Sequence, residues 1–99
     1  MLYAMIWEDI TDSLALRTSA RPAHLRRVRQ LLDEGRLVLG GPFPAVEAAD
    51  PGAAGYTGSL IVAEFPSLVD AEQWINDDPY MAVGVIKNLT VKPFKQVVP

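Results

Sequence analysis

Short apolar runs alternate along this chain with one long stretch of helical periodicity and several clusters of turn residues. Residues 2–8 are apolar and aromatic-rich and stop at Glu8-Asp9, which predicts a strand. Thr11 or Asp12 then has the side chain to cap a short helical turn running to Arg17. The main helix is predicted to start at Arg21-Pro22, because proline suits the first helical position, and to stop at a left-handed Gly35. At about 100° per residue from His24, Leu25, Val28, Leu31 and Leu32 gather on one side of this helix. Arg26, Arg29, Gln30, Asp33 and Glu34 gather on the other, so the helix is amphipathic and His24 lies in its apolar stripe.

Residues 37–41 predict a second strand, halted by Pro42-Phe43-Pro44. Residues 45–57 read as a loop long enough to suggest function. Residues 59–65 form the clearest strand, and Ser67 with Asp70 resembles a capping box opening a second helix to Asn76. Asp77-Asp78-Pro79-Tyr80 interrupts that helix. A last strand is predicted over 85–92, with Lys92-Pro93-Phe94-Lys95 suited to an edge or exit. The order β-α-β-β-α-β, with right-handed crossovers, predicts an α+β, ferredoxin-like sandwich whose helices cover one face of an antiparallel sheet. Yet both faces of the strands are apolar: Leu2, Ala4 and Ile6 alternate with Tyr3, Met5 and Trp7. The open sheet face is therefore expected to meet a second copy in a homodimer, the alternative being a monomer with a hydrophobic ligand cleft there.

Composition narrows the classes. Ninety-nine residues suit one domain, 1–99, and 49% hydrophobic with 21% charged residues excludes a disordered chain. A net charge of −3 disfavours nucleic-acid binding. Without cysteine there is no disulfide framework or thiol nucleophile, and a lone histidine excludes most transition-metal sites, so no cofactor is expected. The first residues lack a basic region and turn acidic early, which reads as neither a signal peptide nor a membrane span; the expected location is the cytoplasm.

Candidate chemistry centres on His24, the one side chain that ordinarily titrates near neutrality. In the predicted topology the start of the first helix and the end of the second share one end of the sheet. His24, Asp78, Gly40-Gly41-Pro42, Gly58-Ser59 and Trp7-Glu8-Asp9 converge there. A carboxylate beside an imidazole fixes one tautomer and stabilises the protonated ring, the minimum equipment for general acid–base transfer. Asp78 is equally suited to cap the turn begun by Pro79, and one carboxylate can do both. Glu8 and Asp9 read as solvated strand-end residues. Arg17 and Arg21 suit an anionic substrate, with ordinary surface pairing as the alternative. Gly40-Gly41 allow close backbone approach, backbone N–H groups near Gly41 suit a developing enolate, and Gly41, Pro42, Ser59 and Tyr80 complete the substrate-binding candidates. Tyr80 and the other aromatics also suit core packing.

Arg21-Pro22-Ala23-His24-Leu25, Asp33-Glu34-Gly35-Arg36-Leu37, Gly41-Pro42, the run Asp50 to Ser59, Asp78-Pro79-Tyr80 and Val91-Lys92-Pro93-Phe94-Lys95 resemble the small bacterial YciI-like (YCII-related) proteins. The likeness is collinear from Met1 to about Val97. It implies a dimeric α/β barrel and a catalytic pair of a histidine on the first helix and an aspartate in Asp-Pro-Tyr, which map to His24 and Asp78. Relatives carrying this domain include a dehydrochlorinase of chlorinated hydroxyhydroquinone, and muconolactone isomerases share the barrel. Two functions are thus expected in competition. One is a cofactor-free lyase or isomerase using His24 and Asp78 on a small cyclic metabolite. The other is a non-catalytic dimeric module binding a small molecule or a protein, with the same pair as buried structure.

Overall fold

A computed structural model describes residues 1–99. Its elements are β1 (Leu2–Asp9), α1 (Leu14–Asp33), β2 (Leu37–Pro44), a 3-10 turn (Gly52–Ala54), β3 (Tyr56–Glu64), α2 (Leu68–Asn76), α3 (Pro79–Ala82) and β4 (Ile86–Phe94). The strands form one four-stranded sheet in the order β2-β3-β1-β4, and every pairing is antiparallel. This is the ferredoxin-like βαββαβ fold expected from the order of elements.

Alternation divides each strand between two faces. Tyr3, Met5 and Trp7 of β1 join Ile61 and Ala63 of β3 in a core closed by Ala20 and Leu31 of α1, Ala71 and Ile75 of α2, and Tyr80 of α3. The helices therefore cover one face. The opposite parity places Leu2, Ala4, Ile6, Leu60 and Val62 on the open face, beside Leu39, Phe43 and Phe94, which are exposed. Leu32, expected in the apolar stripe of α1, faces solvent.

Proline interrupts neither of the two elements it was expected to bound. The helix does not begin at Arg21 but runs unbroken from Leu14, with Pro22 in its interior. Proline deprives the Thr18 carbonyl of its helical donor; both residues are exposed, so water can replace it. Neither Thr11 nor Asp12 caps a turn to Arg17. Asp12 is left-handed at φ 58°, Ser13 occupies the N-cap position, and the Ser13 hydroxyl donates to Asp9 Oδ2 at 2.6 Å while accepting from no N–H of the helix. Likewise β2 continues through Pro42-Phe43-Pro44, because it is an edge strand whose outer side needs no donor.

Local start and stop signals act at Gly35 and Ser67 as expected. Gly35 is left-handed at φ 72°, and its N–H donates to the Leu32 carbonyl while that of Arg36 donates to the Leu31 carbonyl. That is the Schellman arrangement, which satisfies two helix-end acceptors. Ser67 Oγ accepts from the Asp70 N–H at 3.2 Å and donates to Asp70 Oδ2 at 2.8 Å, starting α2.

Candidate active site

Asp78 lies where α2 gives way to α3. Pro79 cannot continue the α2 hydrogen-bond ladder, so the chain turns extended at Asp78 and restarts, with the Asp78 side chain capping the new turn. Its Oδ1 accepts from the Tyr80 N–H at 2.9 Å. The same carboxylate accepts from His24 Nδ1, 2.9 Å from Oδ1 and 3.0 Å from Oδ2. Cap and imidazole partner are thus one residue, fully buried. Burial pushes the Asp78 pKa up, but the His24 hydrogen bond and charge, the Tyr80 N–H and Arg27 outweigh it, holding the group below its usual 3.8. An ionised Asp78 keeps the ring proton on Nδ1 and leaves Nε2 as the nitrogen free to exchange a proton.

His24 is buried and lies flat on the Tyr80 ring, with centroids 4.1 Å apart and planes 16° apart. Trp7 meets both rings edge-on. These contacts fix the imidazole beside a cavity of about 220 Å³ between α1, β2, β3 and α3. Helix α1 supplies one wall from positions 14, 17, 18, 21, 24, 25 and 28, each three or four residues from another, so that one helical face stays toward the cavity. Gly40, Gly41 and Pro42 of β2, Ser59 and Ile61 of β3, and Tyr80 complete it with Tyr56. Burial raises the Tyr80 pKa above its ordinary 10.0, against the lowering charges of Arg17 and Arg21, so the phenol stays protonated.

Arg17, Arg21, His24, Gly41, Pro42, Ser59 and Tyr80 therefore line one cavity, and Asp78 stands behind His24. The surroundings of Arg17 differ from those expected. It is buried, not at the surface, and its partner Asp9 is buried rather than solvated. Nε donates to Asp9 Oδ2 at 2.6 Å, and Nη2 donates to Asp9 Oδ1 at 3.0 Å, the Gly58 carbonyl at 3.0 Å and Ser59 Oγ at 2.9 Å. Glu8 points away and accepts from Asn88 on the open face. The 45–57 loop approaches the site only through Tyr56, whose ring lies under the Arg17 guanidinium at 5.5 Å.

Sequence reasoning passed over Arg27. Its Nη1 donates to Asp78 Oδ2 at 2.8 Å and its Nη2 to the Trp74 carbonyl at 2.7 Å, while the guanidinium stacks on the Trp74 ring. The signal was present in its place one helical turn after His24, on the same side.

A profile of the YCII-related domain matches residues 1–95. The chain belongs to the YCII-related family. Among its members, Protein YciI of Escherichia coli O6:H1 is 56% identical over 97 residues, covering 98% of this chain and 99% of that protein. An uncharacterized protein of Haemophilus influenzae is 42% identical over 97 residues, covering 98% and 99% of the two chains. Among solved structures, the 5-chloro-2-hydroxyhydroquinone dehydrochlorinase of Burkholderia phenoliruptrix AC1100, in complex with 2,5-dihydroxybenzoquinone, superposes with a TM-score of 0.84. That match covers 96% of this chain and 94% of the other at 24% identity, so the YCII-related chain and the dehydrochlorinase share a fold. No helix of the chain is long and apolar enough to cross a membrane.

Proposed function

We propose that this YCII-related protein moves a proton on a small cyclic metabolite, acting as a lyase or isomerase. The observation that carries the reading is His24 Nδ1 bound to buried Asp78 at 2.9 Å while the ring borders a cavity. Asp78 orients the imidazole and His24 Nε2 takes a proton from a ring carbon next to a carbonyl or enol. The C–H electron pair becomes a new double bond. It then either expels a leaving group, which is elimination, or is reprotonated by His24 at another carbon, which is isomerisation. Each course is complete in protons and electrons and calls on no cofactor. Hydroxyquinones are the first substrates to try, because the dehydrochlorinase of the same fold was solved with one bound.

The non-catalytic binding module draws on a different observation. Asp78 accepts from three donors, His24, Arg27 and the Tyr80 N–H, as a purely structural carboxylate would. Turnover separates the readings. Hydroxyquinones and lactones are screened against the parent protein and His24→Ala. Conversion by the parent that falls at least about a hundredfold in the variant is expected of a general base. Equal rates in the two proteins would remove His24 from the chemistry.

The open sheet face fits a second copy of the chain. Leu39, Phe43 and Phe94, each about two-fifths exposed or more, fringe an apolar centre of Leu2, Ile6 and Leu60 that no helix covers. We assign this face to a homodimer that would close the two sheets into a barrel.

A further inference from the structure

The cavity wall has a sign. Arg17, Arg21 and His24 follow one another along the cavity face of α1, and no carboxylate lines the space. The two buried acids nearby are committed behind the wall, Asp9 to Arg17 and Asp78 to His24 and Arg27. Arg21 has no ion pair and no hydrogen bond within the chain and is exposed at the rim, where an adjoining groove begins. The carboxylate in that groove, Asp50, accepts from the Gly52 N–H. Arg17 spends Nε and Nη2 on protein acceptors, but Nη1 makes no hydrogen bond. Trp7 Nε1 is the one fully buried side-chain polar atom without a partner, so Arg17 Nη1 is reachable and not sealed in.

Polarity also runs in one direction. After Leu14, the charged groups come from the earlier turns of α1, whereas Val28 meets Ile61 beside Gly40 and, with Leu25, makes the far end apolar. His24 lies between. The volume, about 220 Å³, suits a single ring.

We propose that this cavity binds a single-ring organic anion, its charged oxygen held by Arg21 and Arg17 Nη1 and its ring laid past His24 toward Leu25, Val28 and Ile61. The proposal deepens the proton-transfer reading and rests on it only for which ligand atom faces His24; the charge preference stands without it. The two cations beside the apolar pocket reward an anion in different ways: Arg17 is already stripped of water and held in place by Asp9, and Arg21 has no counter-charge within the chain to give up. Tyr80, held protonated, adds no opposing charge.

The test is calorimetric binding. Benzoate and 4-nitrophenolate supply carboxylate and phenolate anions, and benzamide and 4-nitroanisole are their neutral counterparts. The parent protein is expected to bind at least one anion about tenfold or more tighter than its counterpart. Arg21→Gln should lose about tenfold for that anion, leave the neutral ligand unchanged and weaken the salt dependence. Arg21 is exposed and unpaired, so the variant is expected to melt like the parent. His24→Gln should keep the charge preference. Equal affinities for charged and neutral ligands, no binding of either anion, or an Arg21→Gln variant with unchanged anion affinity would overturn the proposal. Charge-selective binding with turnover surviving in His24→Gln would instead overturn the proton-transfer reading alone.

Discussion

Asp78 offers two oxygens to three donors, and it is the residue on which site and stability meet. Its pKa is held below 3.8 in the fold although burial pushes the other way. A depressed carboxylate contributes stability that is fully present above the unfolded value and is lost as pH falls through the folded one. Denaturant titrations from pH 7 down to 2 should therefore show stability falling below about pH 4 in the parent. Asp78→Asn should lose about 1–3 kcal/mol at pH 7, since a neutral amide serves His24 and Arg27 less well. It should also show a flatter acid limb. An unchanged acid limb would mean that Asp78 is not ionised in the fold. Residues acting on near neighbours were legible in the sequence: Gly35 stopped its helix, and Ser67 and Asp70 capped theirs. Asp9 and Arg17 were not, because their pairing follows from burial that only the assembled sheet and helix create. A strand-end aspartate beside a turn looks solvated until Ser13 and Arg17 close over it.

At the scale of elements, proline misled twice for one reason. The cost of a missing N–H depends on whether the orphaned carbonyl or open strand side reaches water. Pro22 lies on the outer side of α1 and Pro42 on an edge strand, so both elements run on. The correction matters to the site. Only a helix that begins before Arg17 brings that residue onto the face that carries Arg21 and His24. Between β1 and β3 the backbone has a tighter requirement. A Cβ on Gly58 would lie 2.0 Å from the Trp7 carbonyl oxygen, while one on Gly41 would meet nothing within 4 Å. Gly58→Ala must push β1 and β3 apart, at a cost of about 1–3 kcal/mol or more. Gly41→Ala should lose less than about 1 kcal/mol, the ordinary range for a substitution that touches nothing. Thermal melts of the two variants check this, and equal midpoints would contradict the close approach.

For the whole molecule, element order was enough to give the topology, because right-handed crossovers leave few ways to build a βαββαβ sheet. The same rule brought His24 and Asp78, 54 residues apart, to a hydrogen bond. The period-two pattern also announced a sheet apolar on both sides, and the open face carries that pattern. If a second copy covers it, light scattering at micromolar concentration should give twice the 10.8 kDa chain mass. A stable monomer mass would leave the face to another occupant.

Helix α1 behaves toward the cavity as a ruler. With about 1.5 Å of rise per residue, Arg21 stands about 6 Å along the axis from Arg17, His24 about 4.5 Å further, and Val28 about 6 Å beyond that. A shift of one residue turns a side chain about 100° around the axis: Thr18 beside Arg17 and Leu25 beside His24 still border the wall, whereas neither neighbour of Arg21 or Val28 does. Ligands of other lengths are therefore matched on this side in coarse steps along the axis, and finer adjustment of reach falls to the strands and loop opposite.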